Sequence, residues 1–283
     1  IMATAHLGRQ ALLHLRSWTP AIRASGNLFR QQSMSLHNNV LFAGDIVGAI
    51  KNSTAISRHA LGSSHYAHAA LQKTEGFLGA ADGVNTAVAG AMLWGQLLNG
   101  SMIFETDEET GELRRCNEAD AEGCMTQKLQ RRSALTITGK VARLASKTLG
   151  TATFLHEMDV VSLGANANKI GCKVTSCLNL VATGCSLTES SISLYRILST
   201  RPETISDPEN RNKPSAEFAA RSKAIRNAFI AWLGDVVDLV CDALGTLSLF
   251  LPAILGVHAV LIMAILGLIS CVINFVKDYA KIG

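Results

Sequence analysis

The sequence predicts an all-α fold, a multi-helix bundle that ends in a C-terminal hydrophobic helical hairpin. Three observations carry this. From Ala243 to Val276 there is no Asp, Glu, Lys or Arg, and Pro252 divides the run. Proline is scarce, 5 in 283 residues, while glycine is abundant at 23, a balance that suits closely packed helices. Charged residues are 17% of the chain, apolar residues 48%, and mean hydropathy is +0.23. Soluble domains carry nearer a quarter charged residues, so the composition leans towards membrane association.

Residues 1–37 read as a flexible signal-like segment. Residues 1–44 contain no Asp, Glu or Lys, and Arg9, Arg16, Arg23 and Arg30 recur every seven residues. Pro20 interrupts any continuous helix there. An Arg- and Ser-rich, acid-free start fits a mitochondrial transit peptide and equally a bacterial secretion signal.

Residues 38–198 read as a small-residue-rich helical domain. Within it, 45–104 is expected to be helix. Gly79, Gly83, Ala87, Ala91 and Gly95 recur every four residues, a smooth helix-packing ridge on which another backbone can approach closely. The uncharged part, Gly83 to Phe104, is read as buried helix. An acidic loop is expected at 105–123, where Glu105, Asp107, Glu108, Glu109 and Glu112 crowd together. Helical patterning returns at 126–198, with breaks expected near Gly150, Gly164, Gly171 and Gly184. Lys140, Arg143 and Lys147 fall at i, i+3 and i+7 and share one face.

Residues 199–216 hold Pro202, Pro208 and Pro214 and read as a linker. The hairpin follows at 217–283, with helices expected at 217–251 and 254–281. Ile230, Leu233, Val237, Val240, Leu244, Leu247 and Leu251 step by three and four, a heptad-type seam. Asp235, Asp238 and Asp242 form a separate stripe with the spacing of the basic one. Docking of the acidic on the basic stripe is an expectation; two solvated faces is the alternative. An Asp at the centre of an inserted helix costs roughly 2.5–3.5 kcal/mol. Three would outweigh the roughly 4–7 kcal/mol gained by the apolar residues around them, so the first hairpin helix should not insert alone. The run from Ile254 through Leu261 and Leu268 to Val276 gains about 4–8 kcal/mol with little opposition and is long enough to span a bilayer. Arg221, Lys223 and Arg226 before the hairpin, with Lys277 and Lys281 after it, place both its ends in the cytosol.

No catalytic, cofactor-binding or metal-ligating set emerges. His156-Glu157 lacks the second His of a metalloprotease motif, since position 160 is Val160. No basic cluster interleaves with aromatics, which excludes nucleic acid as the expected partner. Seven cysteines at 116, 124, 172, 177, 185, 241 and 271 show no CxxC pair; free thiols are expected, with a Cys116–Cys124 disulfide as the alternative.

This arrangement resembles the chlamydial inclusion-membrane proteins. The resemblance lies in Ser63-Ser64-His65 to Asn99, in Arg131-Arg132-Ser133-Ala134, and in the tail. Within the tail it rests on Ala224-Ile225-Arg226-Asn227-Ala228-Phe229, Asp235-Val236-Val237-Asp238 and Leu251-Pro252-Ala253-Ile254. It implies a type III-secreted, non-enzymatic effector in a host-derived vacuole membrane, with termini in host cytosol. The expected partners are membrane lipid, host proteins and further copies of the chain. The competing expectations are a soluble all-α scaffold, with the last helix as its buried core, and a mitochondrial membrane protein.

Overall fold

The computed structural model describes residues 43–107, 112–119, 125–199, 216–251 and 258–282. The signal-like segment, the proline-rich linker and Ile254 lie outside the described residues.

Six helices and one small hairpin make up what is described, so the chain is all-α as expected. Helix α1 spans 43–61. It stops at Gly62, whose φ of +72° suits a residue without Cβ and whose N–H closes back on the Arg58 carbonyl at 3.2 Å. Helix α2 follows at His68–Leu98, so the expected single helix over 45–104 is two, separated by the turn at 62–67. Gly100, at φ +83°, caps α2.

The chain then leaves the helices. Strands β1 (Arg115–Ala119) and β2 (Met125–Leu129) pair antiparallel, Arg115 opposite Leu129 and Ala119 opposite Met125. The expected acidic loop is thus half hairpin, and helix does not resume at 126. Arg132 holds the base: its Nε donates to the Ser101 and Phe104 carbonyls at 3.0 and 3.1 Å.

Helix α3 (Ala134–Glu157) starts where Ser133 Oγ accepts the Thr136 N–H at 3.0 Å, a side-chain N-cap. It runs through Gly150 unbroken. The real break is 158–164, where Asp159 takes φ +57° and His156 Nδ1 accepts the Leu163 N–H at 3.2 Å. Helix α4 (Ala165–Ser199) passes through Gly171 and Gly184. Both glycines were expected breakers. At Gly171 a Cβ would stand 3.1 Å from Thr153 Cγ2, so this glycine admits a close neighbour rather than ending a helix. Helices α5 (Ala216–Phe250) and α6 (Ala259–Ile282) form the expected hairpin.

Each helix runs antiparallel to the next. Lys51 pairs with Asp82 and Arg58 with Glu75, both at 3.0 Å, setting α1 on α2. Gly90 lies against Lys147, Gly139 against Cys185, and Gly234 against Ile273. Thr246 Oγ1 donates to the Ser176 carbonyl, tying α5 to α4. The first helix also meets the last: Gly48 lies against Cys271, Gly267 against Asn52, and the His59 and His258 rings are 6.1 Å apart. The six helices therefore close into a ring. From α2 to α6, helices pack along their length only on their neighbours in sequence.

The buried residues are an unusual set. Among the described residues, eight hydrophobics are buried, four of them Ala55, Ala142, Ala182 and Ala264. Six polar residues are buried beside them, Thr54, Asn99, Ser101, Ser146, Thr153 and Thr183. Meanwhile Phe77, Val84, Trp94, Ile170, Phe229 and Val272 are exposed. A soluble bundle has the opposite distribution.

Candidate functional site

In a ring, each helix has an inward and an outward face, and here the two faces differ in chemistry. On α2 the outward residues are Phe77, Val84, Ala91 and Leu98, one stripe at seven-residue steps. It covers 21 residues, about 30 Å at 1.5 Å per residue. On α4 the stripe is Ile170, Val174, Cys177, Val181, Ile192 and Tyr195. On α5 it includes Phe229, Leu233, Val240 and Leu251, and on α6 Ile265, Ile269, Val272 and Val276. Of the heptad seam expected on α5, Leu233, Val240 and Leu251 are exposed while Ile230, Val237, Leu244 and Leu247 are half-buried. Helix α2 is likewise not buried, since Val84, Trp94 and Leu98 are exposed.

The charged stripes lie on the opposite faces. Lys147 on α3 feels Asp82 of α2 and Asp242 of α5. Asp242 in turn feels Arg143 and Lys147 and lies within hydrogen-bonding reach of Thr183. Cys271 on α6 feels Asp45, Asp82 and Asp238. Helices α3 and α5 are separated by α4, and α2 and α6 by α1, so these couplings act across the ring. They place the basic stripe of α3 and the acidic stripe of α5 on walls facing a common interior. Lys140 Nζ donates to Gln96 Oε1 at 3.3 Å, and Ser270 Oγ donates to Asp238 Oδ1. Asp235 shares its face with Asp238 and Asp242, at i, i+3 and i+7. Of the two stripes expected to dock, Asp242 is the acidic residue whose charge feels Arg143 and Lys147.

Helix α4 supplies a neutral polar wall between them. Ser146, fully buried on α3, donates to Asn179 Oδ1 and to the Thr175 carbonyl. Arg143 reaches Ser186 at 3.5 Å. Hydroxyl and amide contacts between helices are the usual cement where apolar packing gives no advantage over the surrounding solvent.

The glycine–alanine ridge on α2 fares differently. Gly83 lies against the Phe154 ring, but Gly79 meets open space and Ala91 is exposed. A four-residue step advances about 400° on a 3.6-residue helix, so each step drifts ~40°. The ridge therefore keeps no single face: Gly79 meets nothing, Gly83 meets α3, Ala91 is exposed and Gly95 is buried. The true contact line is Gly83, Thr86, Gly90 and Trp94, facing Phe154, Gly150, Lys147 and Thr148. Steps of three and four would have found it.

Leu261 and Leu268 on α6 are half-buried and Val276 is exposed. The span Ala259–Val276 is 6% buried, so α6 is not the enclosed centre of a soluble core. Ala165–Ser199 and Ala259–Val276 are both long and apolar enough to cross a membrane; the first was not singled out from sequence. Its outward face is apolar enough, but its inner face carries Asn168, Asn179 and Ser186, which hid it. Cys116, Cys172, Cys177, Cys185, Cys241 and Cys271 are free thiols, and Cys124 lies outside the described residues. Among the described residues no group of His, Cys, Asp and Glu could hold a metal ion.

No protein-family model, no curated protein and no solved structure matches this chain.

Proposed function

We propose that this chain is a non-enzymatic membrane protein whose six helices form an inverted bundle, apolar towards lipid and polar within. One observation carries the reading: apolar stripes on α2, α4, α5 and α6 face out while Asp82, Lys147, Asp238 and Asp242 face in. In water this arrangement exposes apolar surface that each helix could otherwise bury. In a bilayer it removes the outer stripes from water, and the charges that fall on those stripes, Lys73 on α2 and Arg226 on α5, lie towards helix ends. The three aspartates that forbid independent insertion of α5 cost far less once they face other polar groups.

Charge distribution supports an orientation. The antiparallel order puts the start of α1, the β-hairpin, the 199–216 connection and the end of α6 at one end of the ring. Among the described residues, Arg114, Arg115, Lys128, Arg131, Arg132, Arg196, Arg221, Lys223 and Arg226 belong to that end. Arg58, Lys73, Lys169 and Lys173 belong to the other. Basic residues favour the cytosolic side, so both termini and the hairpin face cytosol. With the resemblance to inclusion-membrane proteins and the Arg-rich, acid-free start, the membrane is that of a host-derived vacuole and the protein reaches it by secretion. The cytosolic hairpin and the 199–216 segment are then the parts offered to host partners.

Carbonate extraction of membranes holding the full chain tests this. The chain is expected in the pellet, released by detergent alone, with protease added from the cytosolic side cutting within 105–123. A chain that stays monodisperse in detergent-free buffer overturns the reading.

A further inference from the structure

All five histidines among the described residues, His59, His65, His68, His156 and His258, lie at one end of the bundle. It is the end away from the β-hairpin, where α1 joins α2, α3 joins α4 and α5 joins α6. Helices α2, α4 and α6 begin there, and each has an imidazole at its start. We propose that this end is a pH-operated latch, closed while these rings are neutral and loosened when they take up protons. The latch stands on local contacts. That it senses the compartment away from the cytosol rests on the orientation proposed above.

Two of the three joints are held by a neutral ring. Just ahead of α2, His65 Nδ1 accepts the Ala67 N–H at 3.2 Å. Just ahead of α4, His156 Nδ1 accepts the Leu163 N–H at 3.2 Å. Only an unprotonated ring nitrogen can accept, so a proton on Nδ1 breaks either contact. At His65 the added charge stands at the N-terminus of α2, where the helix dipole opposes a cation. At His156 the same nitrogen lies 3.1 Å from the Val161 carbonyl, which it can bond only when it carries a proton. Protonation therefore exchanges Leu163 for Val161 inside the turn. At the third joint, His258 directly precedes α6 and its ring meets His59 of α1 edge-on, centroids 6.1 Å apart. That contact lies on the seam where the first helix meets the last. Both rings are exposed, and two imidazolium ions at that spacing repel.

The charged neighbours do not pair with these rings. Among the described residues no histidine forms an ion pair with a carboxylate. Arg58, next to His59, is held by Glu75 of α2 at 3.0 Å. Lys73 also belongs to α2, and the Tyr66 ring lies against that of His65, 4.4 Å between centroids. Glu157 and Asp159 flank His156. Helix α4 brings Lys169 and Lys173 to this end, the second over the Phe250 ring of α5. From Ala243 to Val276, α5 and α6 bring no Asp, Glu, Lys or Arg, only His258. Histidine changes charge between pH 5 and 8, so the three joints respond in one interval. The hairpin end, without a described histidine, does not.

Hydrogen-exchange mass spectrometry of the full chain in detergent tests the latch, with rates corrected for the intrinsic effect of pH on exchange. From pH 8 to pH 5, protection of peptides covering 62–68 and 158–168 is expected to fall about fivefold or more, the worth of one hydrogen bond. Peptides covering β2 are expected to keep theirs. In His65→Asn/His156→Asn an amide oxygen takes the place of Nδ1 as acceptor and stays neutral. This variant is expected to keep the protection of the parent at both pH values. If it does not fold, each single Asn variant is expected to hold its own turn at pH 5 and lose the other. His59→Phe/His258→Phe keeps the ring contact without charge, and the start of α6 is expected to stay protected at pH 5. A parent whose protection at this end ignores pH overturns the latch, as do Asn variants that loosen as the parent does. Flotation with phosphatidylcholine vesicles is scored separately. Protein that does not float overturns the membrane reading, while exchange in detergent still decides the latch. In vesicles holding the hairpin outside, acid in the lumen alone is expected to loosen this end. Loosening by external acid alone overturns the side assigned to the sensor.

Discussion

In the segment between α2 and α3, polar groups hold one another; in the ring, buried hydroxyls and amides lie inside while large apolar residues lie exposed. The hairpin continues past its two strands. Glu105 N–H donates to the Gln130 carbonyl, Arg114 N–H to the Glu105 carbonyl and Gln130 N–H to the Arg114 carbonyl. Arg132 adds its guanidinium to the same region, and Gln127 and Lys128 are exposed. That region is built as a segment in water is built, with Met102 fully buried beneath it. The ring reverses the rule, with Ile269 and Val272 exposed and Ser146 fully buried. The two regions distribute polar and apolar side chains by opposite rules, and the change falls between Gly100 and Arg132.

The largest effect expected from this contrast comes from charge on the outer face. Val240→Asp with Ile269→Asp puts two carboxylates towards lipid, at roughly 2.5–3.5 kcal/mol each near mid-bilayer. The double variant is expected to leave the carbonate-resistant pellet. Gln127→Asp, the same chemistry on the hairpin, is expected to change nothing. If the double variant is instead more soluble and better folded than the parent, the outer stripes face water and the contrast disappears.

Next in size is a charge exchange across the ring. Lys147→Asp alone sets a third acidic group near Asp82 and Asp242, and Asp242→Lys alone sets a third basic group near Arg143 and Lys147. Two unit charges ~7 Å apart interact by about 2 kcal/mol at an effective dielectric of 20. Each single variant should unfold at lower temperature in detergent, and the exchanged pair Lys147→Asp/Asp242→Lys should recover most of the loss. A pair no better than the worse single would separate the two walls.

This contrast also explains which parts of the fold were legible in the sequence. Helices α5 and α6 fall within a few residues of their expected bounds, because long apolar runs and a single proline leave few alternatives. The stripes 140/143/147 and 235/238/242 were legible because three residues at i, i+3 and i+7 share a face in any helix. Periodicity shows that a face exists, not what lies opposite it. The seam from Ile230 to Leu251 therefore read as a helix–helix contact, although Leu233, Val240 and Leu251 within it are exposed. The hairpin was illegible for another reason. Its strands, Arg-Cys-Asn-Glu-Ala and Met-Thr-Gln-Lys-Leu, lack the β-branched and aromatic residues that mark strands, and what holds them is backbone pairing with Arg132. Gly171 misled because a glycine that admits a neighbouring helix looks in sequence like one that ends its own.

A smaller effect separates packing between ring helices from chemistry on the ring faces. At Gly83 a Cβ would overlap the Phe154 ring. Gly83→Ala is expected to cost about 1–3 kcal/mol, as overpacking does, seen as a lower unfolding temperature in detergent. Phe154→Ala in the same chain should restore much of it by opening the space. At Gly79, where a Cβ meets nothing, the same change should be neutral or slightly stabilising, because alanine favours the helix over glycine by up to ~1 kcal/mol. Equal losses at both positions would mean that the every-fourth-residue ridge is the contact line after all.

The smallest expected effect lies on the inner face, where Ser270 donates to Asp238 between α5 and α6. Side-chain hydrogen bonds between helices in membranes average only about 0.6 kcal/mol and reach ~1.7, because an unsatisfied partner finds another polar group or water. A double-mutant cycle of Asp238→Asn and Ser270→Ala should give a coupling in that range. The value discriminates between two interiors. A wet interior lets water replace the lost hydroxyl, so the coupling stays below ~1 kcal/mol. A dry one leaves the carboxylate one donor short, and the coupling rises towards the several kcal/mol lost when one partner of a buried charged pair is removed. Arg132→Gln measured alongside supplies the reference for a charged contact on the hairpin. Convergence of the two values would show that the ring interior is as wet as the hairpin.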